Sequence, residues 1–285
     1  MSLHPFKMEK ESISFKIFQE NEITDCMLSE ASQLFNAHYG VWTTNPAIAI
    51  PPHATRAHHI RLSPARLRLQ CLPESMPSRP CTSAYIRASL GGQSIGHAFA
   101  TVFSFHLSTT SPSSHSSIPS QAGPNSAPTT GIWITQLVIH RDYRRRRVAT
   151  ILLTRLLTHL RAEHNATLCG IASSQPAACM AAARAWGCGI EGVRVGFIGE
   201  VARDMVGAVP VDYVREGRLR GWVFEKEGKE EGGHERDMED VVSALDASFL
   251  VDHAEPLAVL EEVRRERGWP LGELPERHEF LLILG

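Results

Sequence analysis

The chain is poor in paired cysteine motifs. Its six cysteines (Cys26, Cys71, Cys81, Cys169, Cys179 and Cys188) are scattered, with no C-x-x-C. That excludes a disulfide scaffold and a zinc site readable from spacing, so reduced thiols are expected. Long apolar runs are missing too. No stretch approaches the ~20 residues of a membrane helix. Met1 to Lys10 is mixed polar and lacks the apolar run of a signal peptide. The expected compartment is the cytoplasm or the nucleus. Charge of one sign is also absent. The net charge is -2 and the pI about 6.7, so no global field draws the chain to nucleic acid or to an anionic membrane. Aromatic residues make up 7% and do not interleave with basic ones, which further weighs against nucleic acid. Any anion recognition must be local. There is no internal repeat.

What remains is an ordinary globular composition, 43% hydrophobic and 21% charged. Residues 12–18 alternate as a strand does. Asn21 or Thr24 caps a helix reaching His38, with Ile23, Met27, Leu28, Ala31, Leu34 and Phe35 at helical spacing. Residues 41–60 are irregular, broken by Pro46, Pro51 and Pro52. Ser63-Pro64 opens a short helix. Residues 83–90 and 94–105 form a hairpin around Gly91-Gly92. Residues 107–130 are rich in Ser, Thr and Pro and bury too little to offset ordering entropy, so a disordered insertion is expected there. A strand at 131–140, a helix from about Arg147 to Glu163, a strand at 167–172, a helix through Trp186 and a short strand at 194–198 come next. The order is β-α-α-β-β-β-α-β-α-β. After residue 200 the pattern weakens. Residues 225–240 form a charged loop, Glu255-Pro256 opens a helix, and residues 279–284 are a buried strand.

Chemistry concentrates in the turn His140-Arg-Asp-Tyr-Arg-Arg-Arg-Arg-Val-Ala-Thr150. Four arginines, Arg144 to Arg147, stand at a helix entrance, where the dipole disfavours each cation by ~0.3–1 kcal/mol. An anion held there would resolve the conflict, since helix N-termini bind phosphate and Arg adds bidentate contacts. A solvated basic turn and a nuclear localisation run are the alternatives.

Residues 133–157 resemble the cofactor motif of GNAT acyltransferases, Q/R-x-x-G-x-G/A, with Arg144-Arg145-Arg146-Arg147-Val148-Ala149 in register. Arg147 replaces the first glycine. The resemblance implies an α/β (α+β) GNAT-type acyl-CoA N-acyltransferase fold, a central mixed twisted sheet flanked by helices. It implies a core over 11–200, interrupted by the 107–130 insertion and completed by a final strand at 277–285, with 201–276 as a C-terminal extension. It implies acetyl-CoA as acyl donor, no metal, and an amine acceptor. Backbone groups of Leu137, Val138 and Ile139 would hold the pantetheine arm. The turn from Arg144 through Arg145, Arg146, Arg147, Val148 and Ala149 to Thr150 would cradle the pyrophosphate. The thioester would lie between Gln136 and Ser173-Ser174. Many of these enzymes carry a carboxylate near the position of Gln136 and a tyrosine in the helix after the fifth strand. Here that helix has Cys179 to Ala183 and no tyrosine. Replacements could come from Tyr213, from His253 in the Asp252-His253-Ala254-Glu255 cluster, or from His278-Glu279 beside the last strand. His97 is expected as a packed side chain. An acyl-CoA-binding sensor or scaffold without turnover is the competing function. The stretches 173–179, 249–257, 269–274 and 278–281 also resemble a group of fungal GNAT-like proteins.

Overall fold

A computed structural model describes residues 12–44, 58–108, 127–225 and 240–285. Most of the Ser/Thr/Pro-rich insertion, the prolines at 46, 51 and 52, and most of the charged run 225–240 lie outside those residues.

The described elements run β1 (Ser14–Gln19), α1 (Asp25–His38), α2 (Pro64–Cys71), β2 (Cys81–Leu90), β3 (Gln93–Phe105) and β4 (Thr129–Ile139). They continue with α3 (Val148–His164), β5 (Leu168–Ser173), α4 (Pro176–Trp186), α5 (Val195–Ala208) and α6 (Asp212–Arg215). The last are β6 (Arg218–Arg220), β7 (Ala244–Asp246), α7 (Ala254–Glu266) and β8 (His278–Leu284). Local chemistry sets several boundaries. Thr24 caps α1 by accepting from the Met27 N–H, and Ser63 caps α2 with Pro64 in the first turn. Gly91 and Gly92 take φ of 55° and 81° in the β2–β3 hairpin, values a side chain would strain.

One mixed sheet has the order β1-β2-β3-β4-β5-β8-β7-β6. The β4–β5 pair is parallel and its other ladders are antiparallel. Helices flank this sheet, giving the α/β fold class. The larger core joins the sheet to α3, α4 and α5. A smaller one, with Leu28, Phe35, Leu67, Tyr85, Phe99 and Val138, lies under α1 and α2. Gly170 on β5 is required by close approach, because a Cβ there would sit 2.4 Å from the Trp133 ring.

Two features of the sheet determine where a cleft can form. The β4–β5 ladder runs only from Gly131↔Leu168 to Ile134↔Ile171, although β4 continues to Ile139. At that point β4 carries a bulge: Phe99 faces Gln136 and Ala100 faces Ile134, leaving Thr135 as the extra residue. A bulge bends its strand, and here the bend coincides with the parting of β4 from β5. The second feature is β8, which inserts between β5 and β7.

The strand expected at 194–198 is instead the first turn of helix α5. Ile198, Val201, Ala202, Met205 and Val206 are its buried stripe, at helical spacing. Gly196 and Gly199 obscured it in the sequence. Gly199 serves close packing, since a Cβ there would meet the Val223 carbonyl oxygen at 2.6 Å.

Candidate functional site

Where β4 leaves β5, a cleft of about 830 Å³ opens, bounded by β4, the α3 entrance, α4 and α7. Leu137, Val138 and Ile139 line it. Their β3-facing edge is paired, but no described strand pairs with them on the β5 side. Ala177, Ala178 and Ala181 on α4 also line the cleft, and their small side chains leave it open. Ser174, itself buried, lies on the same wall.

The α3 entrance forms one end. Leu152, Leu153, Leu156, Leu157 and Leu160 are buried along the helix. Each such burial contributes roughly 1.5–3 kcal/mol, which fixes the first turn. Arg147 is the N-cap residue at φ 62° and ψ 8°, with no side-chain cap. The first helical amide with an intrahelical acceptor is Ile151, bonded to the Arg147 carbonyl at 3.0 Å. The preceding N–H groups, of Val148, Ala149 and Thr150, have no such partner by helix geometry. All three residues line the cleft. Arg145 also has positive φ, 60°. Left-handed backbone costs an L-residue roughly 1–2 kcal/mol, well below what the leucine face contributes.

The arginine run divides its labour. Arg144 Nη1 meets Glu255 Oε1 at 2.5 Å, its Nε donates to the Ile139 carbonyl at 3.4 Å, and Nη2 donates to the His38 carbonyl. Arg145 pairs with Glu262. Arg146 lies over the Tyr143 ring, 5.3 Å from its centroid, and does not line the cleft. Arg147 lines the cleft as an exposed side chain. The anions that offset the run in this structure are therefore carboxylates of α7. Both pairs are substantially solvent-exposed, and such pairs contribute about 0–1 kcal/mol each. A pyrophosphate offering several acceptor oxygens would compete with them.

The three residues singled out for proton chemistry lie elsewhere. Gln136 is buried, and its Oε1 accepts from His97 Nε2 at 2.8 Å. Burial pushes the fully buried His97 down to about 4, so the imidazole is neutral, and its Nδ1 has no partner among the described residues. Gln136 is thus spent on a core hydrogen bond and does not line the cleft. His253 is the N-cap residue of α7, buried, with an Nδ1 that has no partner among the described residues. Burial lowers its pKa against the raising effect of Glu276 and Asp252. Asp252 accepts from the Ala254 N–H at 2.8 Å, and Glu255 is committed to Arg144, so the cluster caps a helix and anchors it.

Tyr213, on α6, belongs to a different group. Its pKa is raised by burial first, then by Glu279, Tyr39 and Cys71. Tyr39, just after α1, is raised by burial, then by Glu279 and Cys71. Both residues keep accessible surface. Tyr39 lines the cleft. Glu279, on β8, is 5% exposed, its Oε2 has no hydrogen-bond partner among the described residues, and burial pushes it up to about 7. The sequence offered Glu279 only as part of the His278-Glu279 pair beside the last strand. A lone Glu heading an apolar strand was the available signal.

Among the described residues, no group of three or more His, Cys, Asp or Glu is placed to hold a metal, and no helix is long and apolar enough to cross a membrane.

Residues 63–187 match the acetyltransferase (GNAT) family. Together with the α/β architecture, the match supports the GNAT superfamily. No curated protein matches the chain. Solved structures with likeness include Eis1 from Mycobacterium abscessus, at 14% identity over 58% of this chain and 29% of that one, TM-score 0.33. The chain thus spans less than a third of Eis1. The AHL synthase LasI aligns at 11% identity over 57% of this chain and 73% of that one, TM-score 0.30. The GNAT-like decarboxylase GphF, in complex with isobutyryl-CoA, aligns at 18% identity over 72% and 87%, TM-score 0.30. Likeness at this level adds no weight to any assignment of chemistry.

Proposed function

We propose that the protein is an acetyl-CoA-dependent N-acetyltransferase that moves an acyl group directly to a primary amine. One observation carries the reading: β4 parts from β5 at the Thr135 bulge and leaves the Leu137–Ile139 edge open, in the same cleft as the uncapped start of α3. A thioester carrier has a chain of amides and a diphosphate. The open edge suits the first and the free amide groups of residues 148–150 suit the second.

In this reading Leu137 to Ile139 hold the pantetheine arm, and Val148, Ala149 and Thr150 hold the phosphates, with Arg145 and Arg147 beside them. The Ala177, Ala178 and Ala181 wall shields the arm from water. The bound acyl-CoA supplies the activated carbonyl, and the chain positions it against the amine. Calorimetric titration with coenzyme A tests the reading. Saturable binding is expected, weakened at least about tenfold by Arg145→Ala combined with Arg147→Ala, the loss of roughly one charge-assisted contact. Absence of saturable binding in the wild type would sink it.

A second reading is an acyl-CoA sensor or scaffold that turns over slowly or not at all. The engagement of Gln136 by His97 favours it, because β4 then offers no free proton acceptor beside the gap. Release of free thiol from acetyl-CoA across a panel of amines separates the two readings.

A further inference from the structure

We infer that Arg144 acts on the cleft as a positioning residue: its guanidinium caps the C-terminal end of α1 and clasps it to the end of β4, which fixes the wall formed by residues 37–41. This rests on the acyl-CoA reading for what fills the cleft, while the clasp itself stands on geometry.

Three nitrogens of one side chain reach three elements. Nε donates to the Ile139 carbonyl at 3.4 Å, Nη2 donates to the His38 carbonyl, and Nη1 meets Glu255 Oε1 at 2.5 Å. Ile139 ends β4, His38 ends α1, and Glu255 lies in the first turn of α7. Ile139, His38 and Glu255 all line the cleft, as Arg144 does. Of the four consecutive arginines, Arg144 alone has main-chain acceptors among the described residues. The Glu255 pair is exposed and exchangeable. The two carbonyl bonds hold the side chain whether or not Glu255 stays. A planar guanidinium with donors in a fixed fork suits such a three-way contact, and a single ammonium does not.

The helix dipole gives the physical reason for the placement. The last four carbonyls of a helix have no intrahelical donor, and that of His38 is one of them. A cation at this end is favoured by the dipole. Arg144 therefore sits badly for the start of α3 and well for the end of α1. Two further contacts dock the same end of α1. The His38 and His140 rings lie with centroids 3.9 Å apart, and His38 Nδ1 accepts from the Arg141 N–H at 3.5 Å. Directly after His38, Tyr39, Gly40 and Val41 continue the cleft lining. Their position is carried onward by pairing, since the Asp252 N–H donates to the Val41 carbonyl at 3.0 Å and the Trp42 N–H to the His58 carbonyl at 2.9 Å. A loosened α1 end would thus move a whole side of the cleft while leaving α3 in place on its leucine face.

The test compares wild type with Arg144→Ala and Arg144→Lys in three measurements. The first is hydrogen exchange of peptides covering 35–43 and 151–160. The 35–43 peptide should exchange about fivefold or more faster in both variants, with 151–160 unchanged. Lys should not rescue, because one ammonium cannot span both carbonyls. The second is the NMR titration of the His38 imidazole, assigned by its absence in His38→Gln. Burial, His140, Arg141 and Arg144 hold the His38 pKa down and Asp142 opposes them, while Glu30 shares a smaller cavity with the ring. In Arg144→Ala the titration should move up, a change that general loss of stability would not produce. The third is calorimetric affinity for coenzyme A, which should fall by less than about threefold in both variants. If Arg144→Ala does not fold, Arg144→Lys carries the exchange comparison. Unchanged exchange over 35–43, or an unmoved His38 titration, would overturn the clasp. So would a loss of affinity of about tenfold or more in Arg144→Ala that Lys restores, since a charge alone would then be what the site uses. A wild type that does not bind coenzyme A would remove the acyl-CoA reading, and exchange and titration would still decide the clasp.

Discussion

The α3 entrance and the β8 strand handle charge in opposite ways. At the α3 entrance there are too many cations, and the chain brings its own anions to meet them: Glu255 for Arg144 and Glu262 for Arg145. On β8 there is one buried carboxyl, Glu279, and the described residues bring it no cation. The first region is exposed, so its pairs are weak and exchangeable. The second is buried, so its mismatch is costly and is relieved by holding a proton. A site that must accept a phosphate-bearing molecule many times over is better served by loose counter-ions than by bare cations.

The largest expected test of this contrast is a pH titration of stability. The folded pKa of Glu279 lies above the ordinary value of 4.5, at about 7. Between those values the folded state binds more protons than the unfolded one, so stability falls as pH rises from about 4.5 to about 7 and is flat beyond. The cost is at most about 3 kcal/mol for a shift of this size. Urea unfolding at pH 5 and pH 8 should show the drop in wild type and lose it in Glu279→Gln. A parallel drop in both proteins would mean that the carboxylate is paired in solution.

Gln136→Ala should cost about 1–3 kcal/mol in stability by leaving His97 unsatisfied, while coenzyme A affinity stays within twofold. A collapse of affinity with stability intact would move Gln136 into the site. Arg147→Gly should raise stability by up to about 1 kcal/mol, since glycine takes φ of 62° without penalty. The accompanying change in affinity isolates what the guanidinium contributes. Smallest of all, Glu255→Gln with Glu262→Gln should tighten coenzyme A binding a fewfold by removing the resident anions, with a stability change below about 1 kcal/mol. Weaker binding would mean that α7 holds the entrance in shape and does not compete for it.

Much of the fold was legible because it is written locally. The cap at Thr24, the Ser63-Pro64 start, the Gly91-Gly92 hairpin and the leucine face of α3 each arise from a few adjacent residues. So did the suspicion that something unusual happens at Arg144 to Arg147, since four cations at a helix N-terminus conflict with the dipole. What answers them was not legible, because Glu255 and Glu262 lie more than a hundred residues away. The same holds for Gln136, whose partner His97 is set by the β3–β4 register and by a bulge with no sequence signature. α5 was misread because two glycines interrupt its pattern, and one of them exists for the sake of residue 223. Replacement of the motif glycine by Arg147 was visible, and the left-handed backbone there explains why glycine is the usual occupant of such a position.

The insertion of β8 between β5 and β7 has a consequence for biosynthesis. Those seven residues leave the ribosome after every other described element. Until then the nascent chain holds β5 and β7 as separate open edges, each a template for pairing with another chain. Late threading of one apolar strand into a central slot is a non-local step with a large loop to close. Growth at low temperature or holding by a chaperone should therefore govern the yield of soluble protein, and changes confined to residues 278–284 should show up first as aggregation during synthesis.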